Sequence, residues 1–458
     1  MIDEHILDRL RAIVGDRNLK TGDAIGLLDS GADPRNLDAA VLVSPATVDQ
    51  VSRIAALCNE SAIAIVPHGG RTGLVGGGVS RPGQIILSLS LLAQIEEISA
   101  EAGIAVVQAG VTLQGLQDAA AQHGLSPGID LASRGSATIG GMIATNAGGM
   151  DAFRHGTMRQ RILGLEAVLA DGRVMRDMAK VTKSNEGYDL KQLFIGSEGT
   201  LGMVTRAVIK LVPRERHTAT ALVACSSVTA AVGLFHEFNA NRELGLLRCE
   251  FMAEDYFGLA AQTLGPPSLA QFAPAPAYLI VENDANDASR AQEQLEAALT
   301  APLESAAVID ALIARNGKER SEIWNIREDS NVVNRIHPTS LWFDVSVPLN
   351  ALDAWLDGFY QRLARIGLSG FVFGHLGDGN LHVGIAGVSR PADEDAAKAA
   401  LYGELRAVGG SFSAEHGIGS EKKTELAAYA DPVKFSLMRS VKTLLDPRGI
   451  MNPGKIFD

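Results

Sequence analysis

Behind the acidic start Met1-Ile2-Asp3-Glu4-His5, Leu7, Leu10, Ile13 and Val14 recur at helical spacing. That pattern predicts an amphipathic helix; a signal peptide would need a basic start and an unbroken apolar block. Further on, short β-rich runs at Ala62–Pro67, Gln84–Leu89, Ile104–Ala109 and Val204–Val212 alternate with helical patterns at Thr47–Glu60 and Leu113–His123. Such alternation, with glycines gathered where strands end, predicts an α+β domain whose loops carry the chemistry. After Pro213 the texture changes: residues 216–300 combine alanine-rich helical patterns with strands at Ala219–Ala224 and Ala277–Glu282, broken by a proline-rich loop near 266–276. This predicts a second α+β domain on an antiparallel sheet. The tail Asp446–Asp458 is rich in turn residues and predicts a docked, non-helical segment.

Composition narrows the picture. At 458 residues, 46% hydrophobic and 21% charged, the chain is globular and long enough for two or three domains. A net charge of −12 argues against nucleic acid or an anionic membrane as partner. No uninterrupted apolar stretch is long enough to span a bilayer. Cys58, Cys225 and Cys249 are isolated and read as reduced core residues of a cytosolic protein.

Glycines cluster near 69–78, 135–149 and 196–202. The first cluster, Pro67-His68-Gly69-Gly70-Arg71-Thr72-Gly73, follows a strand, and its successive N–H groups can face one anionic point with the Thr72 hydroxyl beside them. A plain tight loop is the alternative. No G-K-[ST] follows and no G-x-G-x-x-G opens a helix, so neither a Walker loop nor a nicotinamide fingerprint is present. In the second cluster the pairs Gly140-Gly141 and Gly148-Gly149 permit close backbone approach, and Ser136, Thr138, Thr145 and Asn146 offer polar groups. The third, Gly196-Ser197-Glu198-Gly199-Thr200-Leu201-Gly202, precedes a strand. Together the three point to one extended ligand.

The segments VPHGGRTGLVGGGVS, GSATIGGMIATNAGG and GSEGTLGMVTRAVIKLVP resemble the FAD-binding segments of vanillyl-alcohol oxidase type flavoproteins. They resemble in particular the branch holding D-2-hydroxyglutarate dehydrogenase, D-lactate dehydrogenase and the glycolate oxidase flavin subunit. The closing LLDPRGIMNPGKIF is similar to that branch's C-terminal motif, whose asparagine, here Asn452, lies near the flavin. The resemblance runs from about residue 38 to the end and implies an α+β fold: an N-terminal helical segment (1–37), an FAD-binding domain of two α+β subdomains (38–215), an α+β cap on an antiparallel sheet with substrate and metal sites (216–430), and a C-terminal segment returning to the flavin (431–458). It implies flavin contacts at Pro67, Gly69, Gly70, Arg71, Thr72 and Gly73, then at Gly135, Ser136, Thr138, Gly140, Gly141, Thr145 and Asn146, and finally at Glu198, Gly202, Val204 and Asn452. Relatives that attach FAD covalently use a histidine where this chain has Arg71, so non-covalent FAD is expected. His68 is then a backbone contributor.

The run Phe371–Val383 contains GHLGDGNLH. Asp378-Gly379 is a two-residue hairpin signal, and with it as the turn His375 opposes His382, with Cβ atoms roughly 4.5–5.5 Å apart. Two such imidazoles can bind one metal ion or form a metal-free pair. Glu415 in SAEHGIG is the candidate third ligand, a set that suits Zn²⁺ or Mn²⁺ with positions left open. In the branch the matching residues hold a divalent metal, usually zinc. His416 is the candidate general base for a substrate hydroxyl made more acidic by the cation, or else only a hydrogen-bonding group. Arg327 in EIWNIRED matches the family arginine that grips a substrate carboxylate; a surface salt bridge with Glu328 or Asp329 is the alternative.

Three positions depart from the hydroxyglutarate pattern. Asn331 replaces a threonine, Trp342 replaces a lysine two residues before Asp344, and Gly384 replaces an asparagine. Without that lysine a distal carboxylate is poorly compensated, and Trp342 offers an apolar wall. The expectation is oxidation of a D-2-hydroxy monocarboxylate, D-lactate or one with a larger apolar side chain, with D-2-hydroxyglutarate as the alternative substrate. A flavin electron-relay subunit of a glycolate-oxidase-like complex is the alternative role. A non-redox transferase of the alkyl-dihydroxyacetone-phosphate synthase kind would need a histidine run that the chain lacks. The resemblance further implies electron-transfer flavoprotein or a quinone as acceptor, and a possible homodimer.

Overall fold

The computed structural model describes residues 2–266, 269, 272–329 and 331–457. The expected loop at 266–276 falls partly on residues 267, 268, 270 and 271, which lie outside the described residues, as do Met1 and Asp458. The chain packs as two units.

The first unit comprises Met1–Gly149, His155–Arg214 and Glu415–Asp458. One of its sheets pairs Val41–Val43, Ile85–Ser88 and Ile65–His68 in parallel, with Leu19–Thr21 antiparallel at the edge. The inner strands Val41–Val43 and Ile85–Ser88 are buried throughout, as parallel strands covered on both faces should be. A second, five-stranded antiparallel sheet runs Ile95–Ser99, Ile104–Gln108, Met203–Lys210, Ile162–Val168, Val174–Asp177. The helix Val48–Glu60 buries Val51, Ile54, Ala55 and Cys58, and the Thr47 hydroxyl accepts from the Gln50 N–H at its start. The N-terminal helix Glu4–Val14 is capped by Asp3 and buries Ile6, Leu10 and Val14, so its inward stripe is centred one residue away from the Leu7 and Ile13 flanks. Beyond the exposed helix Pro432–Leu445 the chain is irregular to residue 457, with Ile450, Met451 and Asn452 buried.

The second unit comprises Met150–Arg154 and Glu215–Ala414. Its antiparallel sheet has the order Val308–Ile313, His217–Cys225, Ala277–Ala285, Leu246–Ala253, Ser369–His375, Asn380–Ala386, Leu341–Ser346. The helix Glu254–Leu264 packs on it through stacked rings, Tyr256 on Phe373 (4.2 Å) and Phe257 on Tyr278 (3.7 Å). All three cysteines are free and buried. Among the described residues no helix is long and apolar enough to cross a membrane.

Candidate active site

In the first unit the three glycine clusters meet around a cavity of about 430 Å³, within the size range of cofactor sites. The glycines act first on the loops themselves. A Cβ on Gly69 would lie 2.3 Å from Thr138 Oγ1, and one on Gly70 would lie 1.9 Å from the Ser136 carbonyl oxygen. Loop 67–73 can therefore lie against residues 136–141 only without side chains at these positions. The Thr138 hydroxyl accepts from the Gly141 N–H at 3.4 Å and starts the helix Ile139–Thr145.

All the expected flavin contacts except Gly135, Ser136, Asn146 and Asn452 line this cavity. Ser136 meets Gly70 through its main chain. Asn146, in the left-handed region (φ 54°), accepts from the Thr157 hydroxyl (2.8 Å) and the Arg159 N–H (2.9 Å). Asn452 donates from Nδ2 to the carbonyls of Gly77 (3.0 Å) and Glu198 (2.7 Å). These side chains tie loops together; nothing in the structure assigns a task to Gly135. His68 is buried with Nε2 2.8 Å from the Gly78 carbonyl, and desolvation pulls its pKa down to about 4, so the ring is neutral at pH 7 and donates from Nε2. Its Nδ1 and the Nε of Arg71, on residues of the cavity wall, are buried without partners among the described residues. Such orphaned polar atoms fit a site completed by a large polar cofactor. Glu415 and His416 line the same cavity.

In the second unit the hairpin differs from the expected two-residue turn. His375 pairs with Asn380, and His382 with Phe373. The connection is four residues long: Leu376–Asp378 form a 3-10 turn, Leu376 is buried, Asp378 Oδ1 accepts from the Asn380 N–H (3.0 Å), and Gly379 turns the chain at φ 72°. Because the register moves by two residues, the faces are unchanged. The two imidazoles become diagonal rather than opposed neighbours, with ring centroids 5.4 Å apart.

That face also carries a residue the motifs did not flag. Glu250, fully buried, pairs across the sheet with His375, and its carboxylate oxygens lie 2.8 and 2.9 Å from Nδ1. Burial pushes the Glu250 carboxyl up, but His375 and Arg327 outweigh it, and the net displacement is downward. An Nδ1–H donated to Glu250 would set the tautomer in which Nε2 ligates, the usual role of a carboxylate behind a ligand histidine. The one warning in the sequence is that the apolar strand Leu246–Ala253 carries two charged residues, Arg248 and Glu250. Asn380, opposite His375, is another omission: its buried amide has neither Oδ1 nor Nδ2 partnered among the described residues.

Arg327 ends the helix Gly317–Glu328 buried rather than at the surface. Its Nη2 stands 2.7 Å from Glu250 Oε2, its guanidinium carbon lies 4.6 Å from the Phe373 ring centroid, and its Nε has no partner among the described residues. Neither Glu328 nor Asp329 takes the surface bridge considered above; Asp329 pairs with Arg335. Asn331 is exposed. Trp342 pairs directly with Gly384, and its ring atoms lie 3.2–3.4 Å from where a Cβ on Gly384 would stand. The indole N–H donates to Asn334 Oδ1 at 2.8 Å. Trp342 therefore covers the position that its cross-strand neighbour leaves empty.

The chain reaches Glu415 from Ala414, whose N–H donates to the buried Asp344 carboxylate (2.8 Å). The Gly149 N–H donates to Glu415 Oε1 at 3.3 Å. His375 and His382 share one face of the second unit's sheet, and Glu415 belongs to the first unit. Two imidazoles and a carboxylate are donors that suit a divalent ion such as zinc.

Residues 39–177 match the FAD binding domain family, and residues 214–456 match the family described as FAD linked oxidases, C-terminal domain. The chain is similar to mitochondrial D-2-hydroxyglutarate dehydrogenase of Rattus norvegicus, 35% identical over 416 residues that cover 91% of this chain and 77% of that protein. It is also similar to D-2-hydroxyglutarate dehydrogenase of Xanthomonas citri pv. viticola, 35% identical over 425 residues that cover 90% and 88%. A solved structure of p-cresol methylhydroxylase with substrate bound superposes with a TM-score of 0.75 at 19% identity, covering 99% of this chain and 96% of that one, a likeness of fold. The fold is of the vanillyl-alcohol oxidase type, and the protein is a flavin-dependent oxidoreductase. The chain belongs to the FAD-linked oxidase family.

Proposed function

We propose that this chain oxidises a D-2-hydroxy acid to the 2-oxo acid, delivering a hydride from the α-carbon to FAD and the hydroxyl proton to His416. The observation that carries this reading is the cavity lined by the glycine loops and by Glu415 and His416. FAD, when bound, would supply the two-electron oxidant, and a divalent ion, zinc or manganese, with His375, His382 and Glu415 as its proposed ligands would supply positive charge to acidify the substrate hydroxyl. Arg327, braced by Glu250, grips the substrate carboxylate with its remaining donors. Anaerobic mixing of the purified protein with D-lactate, D-malate, D-2-hydroxyglutarate and D-mandelate tests it: the flavin bleaches with D acids and not with their L isomers. Bleaching with none of them, zinc present, sinks the proposal and leaves the electron-relay role.

The side-chain pocket is proposed to favour an apolar monocarboxylate such as D-lactate over the D-2-hydroxyglutarate named for the relatives, because Trp342 closes over Gly384. The two positions are coupled. Gly384→Asn alone collides with the indole, and Trp342→Lys alone supplies only the charge. The double variant is expected to raise kcat/KM on D-2-hydroxyglutarate relative to D-lactate by about 10–100-fold, the worth of one hydrogen bond to a charged group. An unchanged ratio removes Trp342 from the specificity argument.

FAD is proposed to bind non-covalently, with Arg71 at the attachment position. Acid precipitation should leave all the flavin in the supernatant; colour retained by the pellet contradicts the assignment. Electron-transfer flavoprotein or a quinone as acceptor, a homodimer and a cytosolic location complete the proposal. Each is open to direct test by acceptor assays, sedimentation and fractionation.

A further inference from the structure

Glu198 lies in the third glycine cluster, on the wall of the cavity, where a flavin contact is the obvious reading. Its side chain points to a different task. One carboxylate oxygen accepts the N–H of Ile418 and the other the N–H of Gly419, each at 2.7 Å. A Cβ on Gly417 would lie 2.7 Å from Glu198 Oε1, and Gly417 itself has φ 83°. The stretch that follows Glu415 and His416 is thus fastened at two consecutive amides to separate oxygens of one carboxylate. Two bonds to a planar group fix direction as well as distance.

The clamp is itself held. Glu198 sits in the left-handed region (φ 51°), a strained conformation for a residue with a side chain. Its N–H donates to the Ala144 carbonyl (2.8 Å), and its own carbonyl accepts from Asn452 Nδ2 (2.7 Å). Burial pushes the carboxyl up, while the two amides, Lys422 and Lys455 pull the other way. Backbone strain and desolvation at one residue persist only where the surroundings over-determine them, and here both serve the loop that bears His416.

We propose that Glu198 is a positioning residue that sets the place of His416 against the flavin loops and is not itself a flavin ligand. This rests on the reading of His416 as the proton acceptor. Misplacement of a reacting group by about 1 Å can cost on the order of a hundredfold in rate.

The test uses the FAD-loaded protein with Glu198→Gln, whose amide faces one of the two N–H groups donor against donor, and Glu198→Asp, which keeps both oxygens on a shorter arm. In E198Q, FAD affinity is expected to stay within about twofold of wild type. Amide exchange over residues 415–420 should quicken at least about tenfold, and KM should hold while kcat falls at least about tenfold. E198D should fall between, and gives the same readouts if E198Q does not fold. Loss of FAD affinity by more than about tenfold would make Glu198 a cofactor ligand and overturn the proposal, as would unchanged exchange and kcat. Should the wild-type flavin not bleach with any hydroxy acid, the functional reading fails, while the exchange measurement still decides whether Glu198 holds the loop.

Discussion

His416→Ala is expected to slow flavin reduction by saturating substrate by about 10²–10⁴-fold, the usual contribution of a positioned general base, while FAD remains bound. Flavin binding survives because the cavity is built by the loops at 67–78, 131–148 and 197–204, and His416 contributes only a stretch of its wall. Anaerobic stopped-flow absorbance reads the rate and the bound flavin together. His416→Gln separates the two roles open to the imidazole. Glutamine can hydrogen-bond to a substrate oxygen but takes no proton, so for a base it should fall as far as alanine, and for a simple hydrogen-bonding group it should recover most of the rate. A loss under about tenfold in H416A would remove His416 from the proton transfer.

Several elements of the first unit were legible because each has a local cause. Thr47 and Thr112 cap the helices that the apolar spacing predicts, and the buried strand at 85–88 carries no polar alternation. The cavity was legible too, since glycine runs leave few other readings. What escaped depended on distance in sequence. The pairing of Glu250 with His375 joins strands 125 residues apart, and nothing near either residue announces the other. The motifs at Asn452 and Glu198 imply flavin contacts; that their side chains also bond loops distant in sequence is visible only in the folded chain. The hairpin shows a milder failure. Asp378-Gly379 marked the turn, but the hydrogen bond from the Asn380 N–H to Asp378 and the burial of Leu376 lengthened it to four residues. The shift was even, so the prediction that both histidines share a face survived an incorrect register. The helix Pro432–Leu445 went unread although Asp431-Pro432 is a standard opening and Val433, Leu437, Val441 and Leu444 recur at helical spacing.

Glu250→Gln should weaken zinc binding by about 10–100-fold, as loss of a carboxylate behind a ligating histidine commonly does. The reasoning runs through two partners. Glu250 accepts from His375 Nδ1, which would set the tautomer that ligates through Nε2, and it neutralises Arg327, buried at 6% exposure. An amide in its place can turn either end to the ring and leaves the guanidinium without a counter-charge, so stability should also fall, by ~3–5 kcal/mol for a buried pair broken on one side. Those effects can be told apart. Adding Arg327→Met to E250Q removes the uncompensated charge, and paired removal of buried ions is often close to neutral. The double variant should therefore regain most of the melting temperature and none of the zinc affinity. Competition against a chromogenic chelator, read beside a thermal melt, distinguishes the cases. Zinc affinity that returns with stability would reduce Glu250 to a structural counterion, and affinity unchanged in E250Q would separate Glu250 from the metal altogether.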